Sequence, residues 1–250
     1  GTALRKPAGF GGWLELTTDS RKKVFASANV AKGFGYTATD RHCLVWNDLS
    51  ASVTAQPVNS FRANLSIGYS DYWRQQDQYV DAVMYNNTSR VIVGELYQKT
   101  VRITLRMTYN LTPDLTIQYY GQPFITRPVY KNFGYVTDAL NPAYEGRFHQ
   151  YTANEISFDG EQYHVDDNKD GVADYSFSRP DFNFVQFRSN LVMRWEYKAG
   201  SEFYLVWSQG NTPDVARDLH SRIGNSLFDH AFSNSATNIF LVKFMYRFLK

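Results

Sequence analysis

Residues 101–110 read VRITLRMTYN, and this stretch decides the fold class. The odd positions carry the apolar side chains Val101, Ile103, Leu105, Met107 and Tyr109, and the even positions carry the polar side chains Arg102, Thr104, Arg106, Thr108 and Asn110. Successive side chains of a β-strand point to opposite faces, so a period of two residues is the period of a strand. The stretch is therefore predicted to be a strand with one apolar and one polar face.

The same period recurs in residues 61–70, 185–198 and 240–248. In the first of these, Phe61, Leu65 and Tyr69 alternate with side chains such as Arg62 and Asn64. No stretch of comparable length has the 3.6-residue spacing of an amphipathic helix. We expect an all-β protein built from long antiparallel strands.

The connections between these strands divide into two classes. Residues 19–21, 56–59, 110–114 and 198–201 are short and rich in turn-forming residues, whereas the alternate connections, 35–40, 71–88, 123–181 and 210–235, are mostly longer. A structureless connection as long as 123–181 is out of place in a compact sandwich. Short turns alternating with long loops are typical of an up-and-down outer-membrane β-barrel, whose turns are periplasmic and whose loops are external.

Threading the chain by this rule predicts about nine strands, near 11–18, 22–35, 41–56, 60–74, 89–110, 114–123, 182–198, 201–209 and 236–249. The last strand then ends in the periplasm, but an odd number of strands does not close a bacterial barrel. Residues 1–250 are accordingly interpreted as the C-terminal part of one barrel domain, incomplete in strands, with a long external loop at 123–181.

Composition excludes several function classes. A mean hydropathy of −0.44 and the lack of an apolar run near the roughly 20 residues that a membrane-spanning helix needs exclude a helical membrane protein. A net charge of +2, spread along the chain, argues against nucleic-acid binding. The opening GTALRKPAGFGGW has no secretion-signal pattern, so the chain is expected to be either cytoplasmic or a mature or truncated piece of an exported protein.

Several motifs resemble those of one known family. They are LYQKT at 96–100, NLTPDL at 110–115, QYYGQPF at 118–124, DDNKDG at 166–171, DYSF at 174–177, PDFN at 180–183 and LVWSQ at 205–209. Together they resemble the C-terminal β-barrel of a Bacteroidota-type outer-membrane family of unknown function, from about Trp13 to the end of the chain. Members often carry a carbohydrate-binding-family-9-like domain upstream. The resemblance implies an outer-membrane location and a possible glycan ligand bound through such a domain.

One segment has the spacing of a calcium loop. Residues 166–174 place oxygen-bearing side chains at alternate positions around a glycine. The predicted Ca²⁺ ligands are the side chains of Asp166, Asn168, Asp170 and Asp174 and the backbone carbonyl of Val172. Phe177 stands where an EF-hand has its glutamate, and no flanking helices are evident, so a shorter calcium loop that stiffens the surface is expected. The alternative is a solvated acidic turn.

Catalytic residues are not identified. The histidines His42, His149, His164, His220 and His230 have no zinc-binding spacing. The carboxylate pairs Glu155 with Asp159 and Asp166 with Asp167 could belong to a glycosidase, but loop ligands or solvated groups fit them better. Several arginines at even strand positions are expected to face the lumen, where they either pair with carboxylates from missing strands or favour anions. They include Arg62, Arg102, Arg106, Arg188 and Arg194.

These observations lead to three hypotheses. The first is an outer-membrane β-barrel protein that anchors or passes material for surface glycan or polymer handling, with the lipid bilayer as its partner. The second is an outer-membrane enzyme whose external loops build an active site, and a buried Ser/His or carboxylate pair in the loop 123–181 would favour it. The third is a soluble β-sandwich carbohydrate-binding module, which would be extracted without detergent.

Overall fold

The computed structural model describes residues 4–37, 43–215, 221–233 and 236–248. In this part of the chain, nine long strands form one antiparallel sheet in which each strand pairs with the long strands before and after it. The long strands are β1 (Ala8–Thr17), β2 (Val24–Tyr36), β3 (Leu44–Val58), β4 (Phe61–Tyr85), β5 (Thr88–Thr112), β6 (Leu115–Val136), β11 (Phe184–Lys198), β12 (Ser201–Asn211) and β13 (Thr237–Met245). The predicted all-β, antiparallel, up-and-down architecture is confirmed.

The register places most apolar positions of the nine strands on one face, although Trp13, Ile239 and Leu241 lie on the other. Leu65 of β4 pairs with Leu105 of β5, and further along the sheet Met193 pairs with Leu205, which pairs with Val242. We call this surface the apolar belt. It comprises Phe10, Leu14, Leu16, Val24, Ala26, Ala28, Val30, Leu49, Ala51, Val53, Ala55, Phe61, Ala63, Leu65, Ile67, Tyr69, Val101, Ile103, Leu105, Met107, Tyr109, Leu115, Ile117, Tyr119, Leu191, Met193, Trp195, Phe203, Leu205, Trp207, Phe240, Val242 and Phe244.

Much of this belt has no protein packed against it. Leu14, Leu65 and Val242 are 61%, 51% and 62% exposed, although they lie on three widely separated strands. Monomeric water-soluble proteins rarely expose a contiguous apolar surface of such extent. The belt therefore requires an apolar environment of some kind.

The belt also crosses the sheet obliquely. Followed through the strand pairs, Leu14 of β1 lies in the row of Val101, whereas Val242 of β13 lies in the row of Tyr109. Its position thus shifts by eight residues over the eight steps from β1 to β13. A band perpendicular to the strands would stay in one row, so the strands are tilted relative to the belt.

The opposite face is polar and internally hydrogen-bonded. The amide of Asn64 donates to Thr54 Oγ1 at 2.9 Å, and Gln98 donates to Thr126 Oγ1 at 2.9 Å. Such cross-strand pairs stabilise an antiparallel sheet. The polar residues between the belt positions therefore form a second, structured surface.

One end of the sheet has only short connections between its long strands. Two residues each separate β3 from β4, β5 from β6 and β11 from β12, and residues 18–23 join β1 to β2. Gly200 adopts a left-handed backbone conformation with φ of 73° in the third of these turns. We call this the turn end, and the opposite one the loop end.

At the loop end, the predicted connection 71–88 is wrong. β4 continues to Tyr85, and only Asn86 and Asn87 separate it from β5, both with positive φ as a tight hairpin turn requires. The alternation of polar and apolar side chains ends near Tyr72 because the β4–β5 register then shifts three times, at bulges. Arg74 and Asp77, in this part of β4, have a left-handed backbone conformation. Each bulge inserts an unpaired residue and changes which face the following side chains occupy.

The predicted loop 123–181 is likewise partly regular. β6 continues to Val136, and a 3₁₀ helix (Tyr144–Arg147) leads to β7 (Phe148–Gln150), which pairs with β6. The chain then forms a small sheet of β8 (Ile156–Phe158), β9 (Gln162–Val165) and β10 (Tyr175–Ser178). The small sheet packs on the loop end through a cluster of Ile92, Phe133, Tyr151, Val165 and Phe177.

A helix that the sequence did not predict lies between β12 and β13. This helix, α1 (Ile223–Ala231), buries Leu227 and Ala231 against Ile125 and Val185. Val101 and Ile103 pack against the same cluster, so protein partly covers the border of the belt there. None of the described helices has the length and apolarity needed to span a membrane.

The sheet remains open. Within the described ranges, β1 pairs only with β2 and β13 pairs only with β12, so one edge of each has an unpaired backbone. Closure into a barrel is thus not part of the observed fold.

Candidate functional site

The candidate sites lie at the loop end. The first is the predicted calcium loop, which joins β9 to β10. Its polar side chains fold back on its own backbone: Asp166 accepts from the amides of Asp170 at 3.1 Å and Gly171 at 2.8 Å, and Asp174 accepts from that of Asp167 at 2.8 Å. Gly171 has a φ of 89°, which explains the glycine at this turn.

The four predicted side-chain ligands are brought together. Asn168 Nδ2 lies 3.1 Å from Asp170 Oδ2 and 3.4 Å from Asp174 Oδ1, so a hydrogen-bond donor stands between two carboxylates. Val172, the predicted backbone ligand, donates its amide to Asp170 Oδ1 at 2.9 Å. Among the described residues, no three His, Cys, Asp or Glu side chains form a metal-ligating group. A Ca²⁺ ion would have to recruit the Asn168 amide oxygen and a backbone carbonyl as well.

Glu155 and Asp159, which could form a glycosidase pair, have separate structural partners. Glu155 is 4% exposed and accepts from the Thr152 amide and hydroxyl at 2.7 and 2.8 Å, from His149 at 3.1 Å and from Lys169 at 3.3 Å. The backbone hydrogen bond from Thr152 is the largest of the causes that lower the pKa of Glu155 to about 2. Glu155 is thus a fully ionised carboxylate at neutral pH, which stabilises the segment that precedes β8.

Asp159 lies on the surface at the β8–β9 turn. It accepts from the amides of Gln162 and Glu161 at 2.8 and 2.9 Å and binds His164 at 2.8 Å. The backbone hydrogen bond from Gln162, followed by the side-chain bond from His164, lowers the pKa of Asp159. An exposed carboxylate held ionised in this way is a turn-stabilising group and does not supply a proton.

The other predicted pair is also divided. Asp167 binds Arg90 at 2.8 Å, whereas Asp166 belongs to the loop described above. His149 binds Glu155, and His164 binds Asp159. His230 lies in the last turn of α1. His42 and His220 lie outside the described residues.

A cavity that the sequence did not predict lies at the bulges of β4, β5 and β6. It has a volume of about 310 Å³ and is lined by Gln76, Asp77, Glu95, Asn132 and Tyr144, among others. Asp77 is 7% exposed and accepts from the Tyr144 hydroxyl at 2.5 Å, but its Oδ2 has no hydrogen-bond partner. Gln76 Oε1 is also buried without a partner. Two unsatisfied acceptors at one cavity require a donor, such as water or a bound molecule.

A second carboxylate lines the same cavity. Glu95 accepts from Asn132 Nδ2 at 2.7 Å and from Tyr97 Oη at 3.2 Å, and it lies 3.4 Å from Arg74. Burial is the largest cause that raises the pKa of Asp77, and the charge of Glu95 adds to it. Asp77 is therefore the described loop-end carboxyl best suited to exchange a proton with a ligand. The only sequence signal for this cavity is the loss of alternation after Tyr72.

Comparison with known proteins provides the family. Residues 1–249 match a family described as "Domain of unknown function (DUF5916)". The chain belongs to this DUF5916 family. It matches no curated protein and no solved structure.

In this DUF5916 chain, the arginines of the polar face have different surroundings. Arg194 binds Glu202 across the β11–β12 pair and lies 3.6 Å from Glu196. Arg106 lies over the ring of Tyr120 at 5.4 Å, and Arg102 occupies the space above Gly68. Arg194 therefore pairs with carboxylates of this chain, and the predicted pairing with carboxylates of further strands stays a prediction.

Proposed function

We propose that the chain forms part of an outer-membrane β-barrel whose apolar belt faces lipid. The oblique course of the belt carries this proposal. A shift of about one residue per strand, at roughly 3.3 Å rise and about 4.8 Å strand spacing, corresponds to a tilt of about 35°. Membrane barrels tilt their strands by roughly 35–45° relative to the membrane normal, so a horizontal lipid band has to cross successive strands in this way.

The dimensions of the belt agree with the proposal. On β4 it runs from Phe61 to Tyr69, which is about 27 Å along a strand and about 22 Å after correction for the tilt. The apolar band of membrane barrels is about 25 Å tall, and aromatic residues border it. Trp195, Phe203 and Phe244 provide such a border at the turn end.

In this arrangement the turn end is periplasmic and the loop end external. β13 runs toward the turn end, which places the C-terminal side of the sheet in the periplasm. Further strands, from residues outside this sequence, close the sheet between β1 and β13, because an open edge has no hydrogen-bonding partner in lipid. Such a barrel anchors or passes material for surface glycan or polymer handling, and an upstream carbohydrate-binding-family-9-like domain would supply the glycan ligand. The glycan role rests on the family resemblance.

A charged substitution in the belt tests the membrane environment. Leu65 lies at the middle of the belt on β4 and is 51% exposed. Leu65→Arg is expected to lower the free energy of unfolding in lipid by about 2–4 kcal/mol, since a cation at the bilayer midplane loses its hydration. The measurement is the urea-unfolding midpoint in vesicles, together with heat-modifiable gel migration.

Ser66→Arg is the matched control, because Ser66 lies next in sequence but on the polar face. Its unfolding midpoint should change much less than that of Leu65→Arg. The soluble sandwich hypothesis predicts extraction without detergent and nearly equal effects of the two substitutions. That result would contradict the barrel.

We also propose that the chain binds Ca²⁺ at residues 166–174. The convergence of Asp166, Asn168, Asp170 and Asp174 in one loop supports this site. The three carboxylates lie within nine consecutive residues, and a Ca²⁺ ion would draw them together with the Asn168 amide oxygen and a backbone carbonyl. The ion would hold the β9–β10 connection rigid and would take no part in catalysis.

Calorimetric titration of the chain with CaCl₂ should give a saturable heat that Asp170→Ala abolishes. Ca²⁺ at about 100 times the dissociation constant should also stabilise the small sheet by about 2.7 kcal/mol, if the unfolded loop does not bind it. Glu161→Gln is the control, since it removes a charge from the same region outside the predicted ligand set. An absence of heat in the unsubstituted chain would remove the calcium site from the proposal.

A further inference from the structure

A basic pocket lies on the belt side of the sheet, immediately beyond the border of the belt at the loop end. In the register, Lys99 of β5 lies opposite Asp71 and Arg127. Val101, two residues further along β5 and on the same face, lies opposite the belt residue Tyr69 and opposite Ile125. Two residues of a strand span about 7 Å. The pocket therefore lies two residues along the strand beyond the lipid-facing rows of the proposed barrel, toward the loop end.

The pocket is an open cavity of about 840 Å³ between β4, β5, β6 and the first turn of α1. Four cationic side chains line it, namely Lys99, Arg127, Lys131 and Arg222, and the carboxylate among its lining residues is Asp71. Arg127 is 7% exposed and donates to the Ser221 carbonyl at 2.7 Å and to its hydroxyl at 3.2 Å, which fixes the segment before α1 over the sheet. The pocket therefore has an excess of positive charge, and hydrogen bonds hold one of its cationic side chains, Arg127, in place.

Three of these cations remain available to a ligand. Among the ion pairs of the described residues, none involves Lys99, Lys131 or Arg222. Lys131 Nζ lies 5.1 Å from the centre of the Tyr97 ring, so the aromatic wall holds this ammonium at the pocket. An anion that enters the pocket would meet three cationic groups that form no ion pair within the described ranges, against the single carboxylate of Asp71.

The surroundings of the pocket are those of a membrane interface. Trp73, which lines it, is 45% exposed, and Phe228 of α1 is 56% exposed. Tryptophan and amphipathic helices with exposed aromatic residues are enriched at the level of the lipid headgroups. The pocket thus combines basic residues, aromatic residues and an adjoining apolar surface.

From this combination, we infer that the pocket binds the phosphate group of an anionic lipid in the external leaflet, with the acyl chains lying along the belt. The inference rests on the proposed barrel function. Basic pockets at the membrane border recognise phosphorylated headgroups by charge and hydrogen bonding. The exposed belt positions Ile67 and Leu65 of β4, 48% and 51% exposed, favour a lipid over free phosphate, because a lipid uses the pocket and the apolar surface at once.

The test is native mass spectrometry of the detergent-solubilised chain with bisphosphorylated lipid A as the probe. The triple variant Lys99→Gln, Lys131→Gln, Arg222→Gln should bind this lipid roughly 100-fold more weakly than the unsubstituted chain. The matched control is Arg21→Gln, Lys22→Gln, Lys23→Gln, which removes the same charge from exposed positions of the β1–β2 turn. The control should bind within about twofold of the unsubstituted chain, and dephosphorylated lipid A should not distinguish the three proteins.

Equal lipid binding by the two triple variants would overturn the inference. Full displacement of the lipid by millimolar inorganic phosphate would also overturn it, since the pocket would then be a free-phosphate site. If the chain shows heat-modifiable migration but no lipid preference, the lipid inference fails and the barrel proposal stands. If the chain is extracted without detergent, both fail together.

Discussion

Replacing Arg90 with methionine should detach the small sheet from the loop end of the large sheet. The Arg90 side chain is 18% exposed, binds Asp167 at 2.8 Å and donates to the Tyr175 hydroxyl at 3.1 Å. Its guanidinium also lies over the rings of Tyr135 and Tyr85, at 4.2 and 4.4 Å. One side chain of β5 thus holds the loop before β10, the strand β10 itself and two aromatic rings.

The expected loss is about 3–5 kcal/mol of the free energy of unfolding of the small sheet, because removal of Arg90 leaves Asp167 without its cation in a mostly buried place. Hydrogen exchange of the amides of β9 and β10 measures this loss directly. Arg90→Lys should have an intermediate effect, since an ammonium keeps the charge but not the planar stacking. Arg62→Met, an exposed position on β4, is the control.

If the amides of β9 and β10 exchange equally slowly in Arg90→Met and in the unsubstituted chain, Arg90 does not hold the small sheet. Faster exchange throughout the large sheet would also count against this role, because it would indicate a general loss of folding. The prediction requires a local effect. The aromatic cluster around Ile92 should stay protected on its β5 and β6 side.

The second large effect is expected at Glu155. Glu155→Ala would leave the Thr152 amide and hydroxyl and the Lys169 ammonium without their common acceptor. The Thr152 donors and the Lys169 ammonium lie near solvent and can be hydrated in the variant, so the loss of these bonds is expected to destabilise by about 1–2 kcal/mol. The Asp166 amide, which donates to the Glu155 carbonyl at 2.9 Å, should exchange much faster in the variant.

The pH dependence of this site has a definite direction. The pKa of Glu155 is lowered to about 2 in the folded chain, whereas its ordinary value is 4.5. The stabilisation that Glu155 provides is therefore fully present above pH 4.5 and is lost as the pH falls toward 2. Protection of the small sheet should fall in this range in the unsubstituted chain, and Glu155→Gln should make the fall smaller, the remainder belonging to groups such as Asp159, whose pKa is also lowered.

Glu161→Gln is again the control, because Glu161 is an exposed carboxylate of the same sheet region. Its substitution should leave the acid-induced fall intact. A fall of equal size in Glu155→Gln would assign the acid sensitivity to another group and contradict the prediction.

The parts of this fold that could be predicted from the sequence are those in which side chains alternate between the two faces of a strand without a bulge. The alternation in 101–110 fixes two faces because β5 runs there without a bulge, from Leu105 to Asn110 opposite β6 and from Val101 to Tyr109 opposite β4. The hydrogen-bonded turn at 166–174 was also accessible as a cluster of oxygen-bearing side chains, since all of them lie within nine consecutive residues. In both cases the information is local.

The remaining features depend on contacts between distant segments. β4 continues through the predicted connection 71–88 because its bulges are stabilised by β5, which a period-two pattern cannot represent. The helix α1 forms on the surface provided by Ile125 and Val185, and nine residues are too few to be a stable helix alone. The cavity at Asp77 joins residues of three strands with Tyr144, so no spacing in the sequence reports it.

The pairing of each long strand with its sequence neighbours has a consequence for assembly. Hairpins such as β3–β4 and β5–β6 close loops of two residues, so their ends meet at little entropic expense and early in folding. The pairing of β6 with β11 is different, because the chain leaves β6 at Val136 and returns at Phe184. We expect the strands β1 to β6 and the strands β11 to β13 to form first, as two separate meanders. The pairing of β6 with β11 should form later, after the small sheet has folded and brought these two strands together. A slow late step in refolding kinetics would then belong to this junction.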